Sequence, residues 1–111
     1  MIKVDIDPTL PFTQKLKAWY DFLDAFINAE DKNKSTTDVL AWATEVNQMI
    51  LVPIEALFKE KYGNQLPLKI QMLELKPKVK KDDHLKRLKA NRYSIFTYQR
   101  EAYLQEIGDL S

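Results

Sequence analysis

The chain has no cysteine, only two glycines and a single histidine in 111 residues. Without thiols there can be no disulfide, no thiolate metal site and no cysteine nucleophile. Two glycines are too few for a turn-rich all-β fold or for a glycine-lined phosphate cradle. The lone histidine, His84, stands beside Asp82 and Asp83. Neighbouring residues at a helix start point in different directions, so the trio reads as a capping turn and not as a metal site. Asp5 and Asp7 read as the polar side of a short strand. No Ser-His-Asp order, Walker-type loop or HExxH helix occurs. The expectation is a non-enzyme without cofactor or metal.

Long apolar runs are absent too. The densest stretch, Met49 to Ile54, is six residues long and contains Pro53, far short of a membrane span. The first residues, Met1-Ile2-Lys3-Val4-Asp5-Ile6-Asp7, alternate charge with apolar side chains and lack a signal-peptide core. A cytoplasmic protein with no membrane contact is expected.

What the chain does contain is hydrophobic residues, at 45%, with two Trp, five Tyr and five Phe. That is ample for a core, and the length suits one domain, residues 1–111. Folding at this size buries roughly two thirds of the surface that the unfolded chain exposes. Charge is nearly balanced but unevenly placed. Residues 1–65 hold seven basic and ten acidic side chains, residues 66–111 ten and six.

The pattern predicts a mainly α fold: a compact bundle of three to five helices, with room for a short two-stranded β element at one end. The first helix covers 13–29, with Thr13 as cap. Leu16, Trp19, Tyr20, Leu23, Phe26 and Ile27 share one face, and Ala18, Phe22, Ala25 and Ala29 form a second stripe beside it. At about 100° per residue the two stripes span roughly 220°. A helix of that kind is covered on two sides, by its own fold or by a partner. A second helix starts after Ser35-Thr36-Thr37-Asp38, with Val39, Trp42, Ala43, Val46, Met49, Ile50, Pro53 and Leu57 on its core face. Pro53 should kink or break it, and Gly63 should end it. Residues 66–76 fit either a strand, paired with 2–6, or a short helix opened by Pro67; helix is the favoured reading. A last helix, capped by Asp82 or Asp83, runs to about Ile107. Its expected core face is Leu85, Leu88, Phe96, Tyr103 and Ile107, with Ile95 alongside.

Eight large apolar residues then fall off the main faces: Phe22, Leu40, Leu51, Phe58, Tyr62, Tyr93, Tyr98 and Leu104. Some must line internal contacts. As a set they suggest a surface for an apolar partner or a sister subunit, with Phe22, Phe58, Tyr62 and Tyr98 as the candidate contact residues. Such a surface suits amphipathic helices of a protein client and a homo-oligomer. The alternative is a small nucleic-acid-binding or regulatory protein. Eight cations lie between Lys76 and Arg92, with Tyr93, Phe96 and Tyr98 just beyond, a mixture used on single strands. Lys78, Lys80, Lys81, Arg87 and Arg92 would carry that role.

In length, lack of cysteine, helical pattern and off-face aromatics the whole chain is similar to the small tail assembly chaperones of siphophages infecting Gram-positive bacteria. The likeness is one of overall profile and transfers no individual residue. It implies a non-virion protein that shields the hydrophobic helices of a tape measure protein in the host cytoplasm during phage tail assembly, and that self-associates along that client.

Overall fold

The computed structural model describes residues 4–32, 39–63, 69–76 and 78–106, with no side-chain detail for 30–32. It is a helical bundle. Helix α1 is Phe12–Lys32, α2 is Val39–Val46, α3 is Val52–Tyr62 and α4 is Lys81–Glu106. No strand occurs among the described residues, so the two-stranded element is not formed by residues 4–7 and 69–76. The molecule measures 49 × 25 × 22 Å. At 1.5 Å per residue, α4 is about 39 Å long and takes up most of the long axis.

Entry into α1 is set by Asp7. Its carboxylate accepts from the Thr9 backbone N–H at 2.9 Å and the Thr9 hydroxyl at 2.7 Å, which closes a turn at Pro8 and Thr9 ahead of the helix. The Thr9 amide bond is the main reason the Asp7 carboxyl sits below the usual carboxylate range. The Pro11 carbonyl accepts from Lys15 N–H at 2.9 Å. The helix therefore opens one residue before Thr13, which lies buried in its first turn. It also runs on to Lys32, three residues beyond the expected end.

Pro53 does not break the second helix. A π-helical stretch, Asn47–Leu51, joins α2 to α3, and the Val52 N–H reaches back five residues to the Asn47 carbonyl. The wider turn absorbs the missing proline donor at the position where α3 begins. It also inserts a residue into the face. Leu51 and Phe58, which a regular helix puts off-face, are buried, and Met49 is 37% exposed. Gly63 ends α3 at φ +62°, its N–H bonded to the Lys59 carbonyl at 2.8 Å. The proposed caps at 35–38 lie outside the described residues.

Residues 69–76 are extended, not helical. Two asparagines hold them. Asn47 Oδ1 accepts from Leu73 N–H at 2.8 Å, and its amide donates to the Leu73 carbonyl at 3.0 Å. Asn91 of α4 does the same for Gln71, at 3.1 and 2.9 Å. Each side chain substitutes for a neighbouring strand, which outweighs the modest helix propensity of this stretch. Leu73 is thereby pinned in the core, with Ile70 and Met72 packed against it.

The central core is Leu16, Leu23 and Ile27 of α1, Ala43, Val46, Ile50, Leu51, Ile54 and Phe58 of the joined helices, and Leu88 and Ile95 of α4. Trp19, Tyr20 and Phe26 of the first stripe and Phe22 of the second pack against it, while Ala25 and Ala29 of the second stripe stay exposed, so the second side of α1 is covered only in part. Helix α4 opens with Lys80 as cap, its carbonyl accepting from His84 N–H at 3.4 Å. Asp82 and Asp83 fall inside the first turn, where the helix dipole favours them.

Candidate protein-binding surface

The main correction to the sequence reading concerns α4. Its buried line is His84, Leu88, Asn91, Ile95 and Ala102, with Tyr98 half-buried between the last two. The spacing is four, three, four, three, four, as one helix face requires. Phe96 and Tyr103, expected in the core, are 43% and 53% exposed. Ile107 lies outside the described residues. The helix is rotated relative to expectation because two polar residues, His84 and Asn91, occupy core positions. Asn91 is acceptable there because both ends of its amide are hydrogen-bonded to Gln71.

On the opposite side runs a second line at the same spacing: Lys89, Tyr93, Phe96, Arg100 and Tyr103, with Leu104 beside the last. Tyr93 is 71% exposed and Leu104 38%. Three rings on one helix face is more contiguous apolar surface than scattered exposure produces. Where this line meets the start of α1 there is an open groove of about 450 Å³, walled by Thr13, Gln14, Lys17, Phe96, Gln99, Arg100 and Tyr103. Tyr20 of α1 props Phe96 from below, ring centroids 5.3 Å apart. Lys17 at the rim is paired with Asp21 at 2.6 Å. The sequence signal for this surface existed, in the regular placement of Tyr93, Phe96 and Tyr103, but two of the three were assigned inward.

Three of the four residues picked as partner contacts do come together, inside the molecule. Phe58, Tyr62 and Tyr98 form a closed ring with Phe12, edge to face, at centroid distances of 6.1, 5.7, 4.8 and 5.2 Å. Such geometry matches the ring quadrupoles and contributes beyond area burial. Burial, with the Tyr62 hydroxyl adding to it, pushes the Tyr98 hydroxyl above the usual tyrosine range. Phe58 is 1% exposed and has no surface to offer a partner. Phe22 lies apart, half-buried beside Trp19 at 6.3 Å.

No family model matches the chain, and no curated protein or solved structure matches it significantly.

The residues of the nucleic-acid alternative are spread over different tasks. Arg92 is paired with Asp24 of α1, Arg87 donates to the Met72 carbonyl at 3.4 Å, and Lys81 lies over the Trp42 ring at 5.1 Å. Lys78 and Lys80 are exposed on the segment before α4. At the other end of the core, Phe26 stacks on Trp42 at 5.8 Å and Trp42 meets His84 at 6.1 Å. His84 is 1% exposed, and its Nε2 and the Trp42 Nε1 have no hydrogen-bond partner among the described residues. Burial, and secondarily Arg87, holds the imidazole below the usual histidine range. Among the described residues no group of side chains could hold a metal ion, and no helix is long and apolar enough to cross a membrane.

Proposed function

We propose that the protein is a non-enzymatic binding protein that shields amphipathic helices of a protein client, acting as a tail assembly chaperone for a phage tape measure protein in the host cytoplasm. The observation that carries the reading is the outer line of α4, where Tyr93, Phe96 and Tyr103 stand exposed on a rigid helix beside a shallow groove. An amphipathic helix laid along such a line buries its apolar residues at three- and four-residue intervals. Fully covering one such ring contributes about 1.5–3 kcal/mol, so three supply useful affinity after the cost of association. Arg100 on the same line favours a client with acidic residues flanking its apolar stripe.

The test is co-expression with the tape measure protein. The wild-type chain should keep it in solution, and the variant Tyr93→Ser/Phe96→Ser/Tyr103→Ser should not, while retaining its helical signal. Equal solubility with both chains would overturn the reading. So would tight, salt-sensitive binding of single-stranded nucleic acid by the wild type, which would favour the cationic alternative.

A further inference from the structure

The extended run 69–76 is held along one edge and open along the other. Asn47 and Asn91 each accept from and donate to the backbone of a single residue, Leu73 and Gln71 respectively. A directly opposed residue of an antiparallel neighbour makes the same two-way exchange. In an extended chain the N–H and C=O of one residue point to one edge, and residues two apart share it. The two amides therefore close the edge of residues 71 and 73. The opposite edge belongs to Ile70, Met72 and Glu74. Among the described residues their N–H groups, and the carbonyls of Ile70 and Glu74, have no hydrogen-bond partner; the Met72 carbonyl accepts from Arg87 at 3.4 Å.

We propose that this open edge takes up one further strand, an extended acidic peptide of a partner protein, by β-augmentation. The inference goes beyond the client reading. It concerns a different segment and an extended partner in place of a helical one, so either can fail without the other.

The lysines around the edge define the partner's charge. Lys69 precedes it, Lys76, Lys78 and Lys80 follow it, and all four are exposed. Glu74 is the one acid between 69 and 80. It faces Lys76 at 3.9 Å, both side chains being largely in solvent, and an exposed pair of that length holds neither partner firmly. A strand with carboxylates at both ends thus meets cations at both ends, whereas a basic one is repelled. Between its ends the strand needs β-branched residues, which pack beside the half-buried Ile70 and Met72 as cross-strand neighbours. Lysines alone would serve a nucleic acid equally well. A phosphodiester, however, has no donor for the carbonyls of Ile70 and Glu74, and a polypeptide backbone satisfies donors and acceptors together. Pro67 and Pro77 bracket the run and keep the edge short, so binding is weak, with a dissociation constant on the order of 100 μM.

Fluorescence anisotropy on the full chain tests the proposal. The probe is a labelled peptide of alternating valine and threonine with two glutamates at each end. Wild type should bind it, and binding should weaken as salt is added. The same peptide N-methylated at alternate central residues keeps its charge but loses its donors, and should bind about tenfold or more weakly. Met72→Pro, which removes one edge N–H, should weaken the unmethylated peptide similarly, whereas Met72→Leu should not. The variant Tyr93→Ser/Phe96→Ser/Tyr103→Ser should bind as wild type does, which separates this edge from the outer line of α4. No binding of the probe up to roughly 1 mM, or equal binding of the methylated and unmethylated peptides, would overturn the proposal. Tighter binding of a single-stranded oligonucleotide than of the peptide would do so too, and would assign the lysines to nucleic acid.

Discussion

The two faces of α4 each carry two polar or charged side chains among apolar ones, His84 and Asn91 on the inner line and Lys89 and Arg100 on the outer, yet they behave oppositely. The inner line has Leu88 and Ile95 at 0% exposure, and it also seats a histidine and an asparagine. The outer line has three aromatics and leaves them in solvent. Hydrophobicity alone does not decide which side faces the core. What separates the lines is which polar members tolerate burial. Asn91 finds both backbone groups of Gln71, and the imidazole of His84, held below the usual histidine range by burial, packs beside the Trp42 ring. Arg100 has no such internal berth, and a buried unpaired guanidinium would cost more than three half-exposed rings forfeit.

The sharpest way to test that contrast is to delete bulk from the inner line. Ile95→Ala should lower the free energy of unfolding by about 2–5 kcal/mol, since the side chain is fully buried and the cavity left behind cannot collapse completely. Urea denaturation provides the measurement. A loss under about 0.5 kcal/mol, the range of ordinary surface sites, would mean the inner line is not the core line.

Asn91→Ala comes next. It removes both hydrogen bonds that hold the exposed Gln71 backbone, at a net cost of about 0.5–1.5 kcal/mol each. Amide exchange at Gln71 should accelerate while exchange in the middle of α1 changes far less. Uniform acceleration would show that the extended segment and the bundle open together.

How far the sequence led can be judged on these same residues. The helices and the end at Gly63 follow from periodicity and glycine chemistry, both of which are local, whereas the expected caps Thr13, Asp82 and Asp83 lie inside their helices. The extended course of 69–76 was not readable, because it depends on two side-chain amides donated from Asn47 and Asn91. Nothing within the segment announces them. The π stretch before Pro53 shifted the face by a residue and so moved Leu51 and Phe58 inward. On α4 the period is legible and the phase is not, because Asn91 is buried through hydrogen bonds to Gln71, a residue of another segment.

His84 gives a smaller, pH-dependent effect. Its folded pKa lies below the usual value near 6.5, so the unfolded chain binds more protons in the interval between the two. Stability should therefore fall as the pH drops below about 6.5, and level off below the folded pKa. The groups that face the imidazole are Arg87, which opposes its charge, and Asp83 and Glu74, which favour it. His84→Leu should flatten the dependence between pH 7.5 and 5.5 in urea midpoints. An unchanged slope in that variant would place the titrating group elsewhere.

The smallest effect belongs to the outer line and is the most informative of the series. Tyr93 is 71% exposed and among the described residues makes no ring contact. Tyr93→Ala should change stability by no more than about 0.5 kcal/mol, and the better helix propensity of alanine can even offset the loss. The comparison is sharp because Tyr93 and Ile95 lie two positions apart on one helix. If Tyr93→Ala cost as much as Ile95→Ala, the ring would be serving the fold, and the outer face would lose its claim as a surface kept for partners.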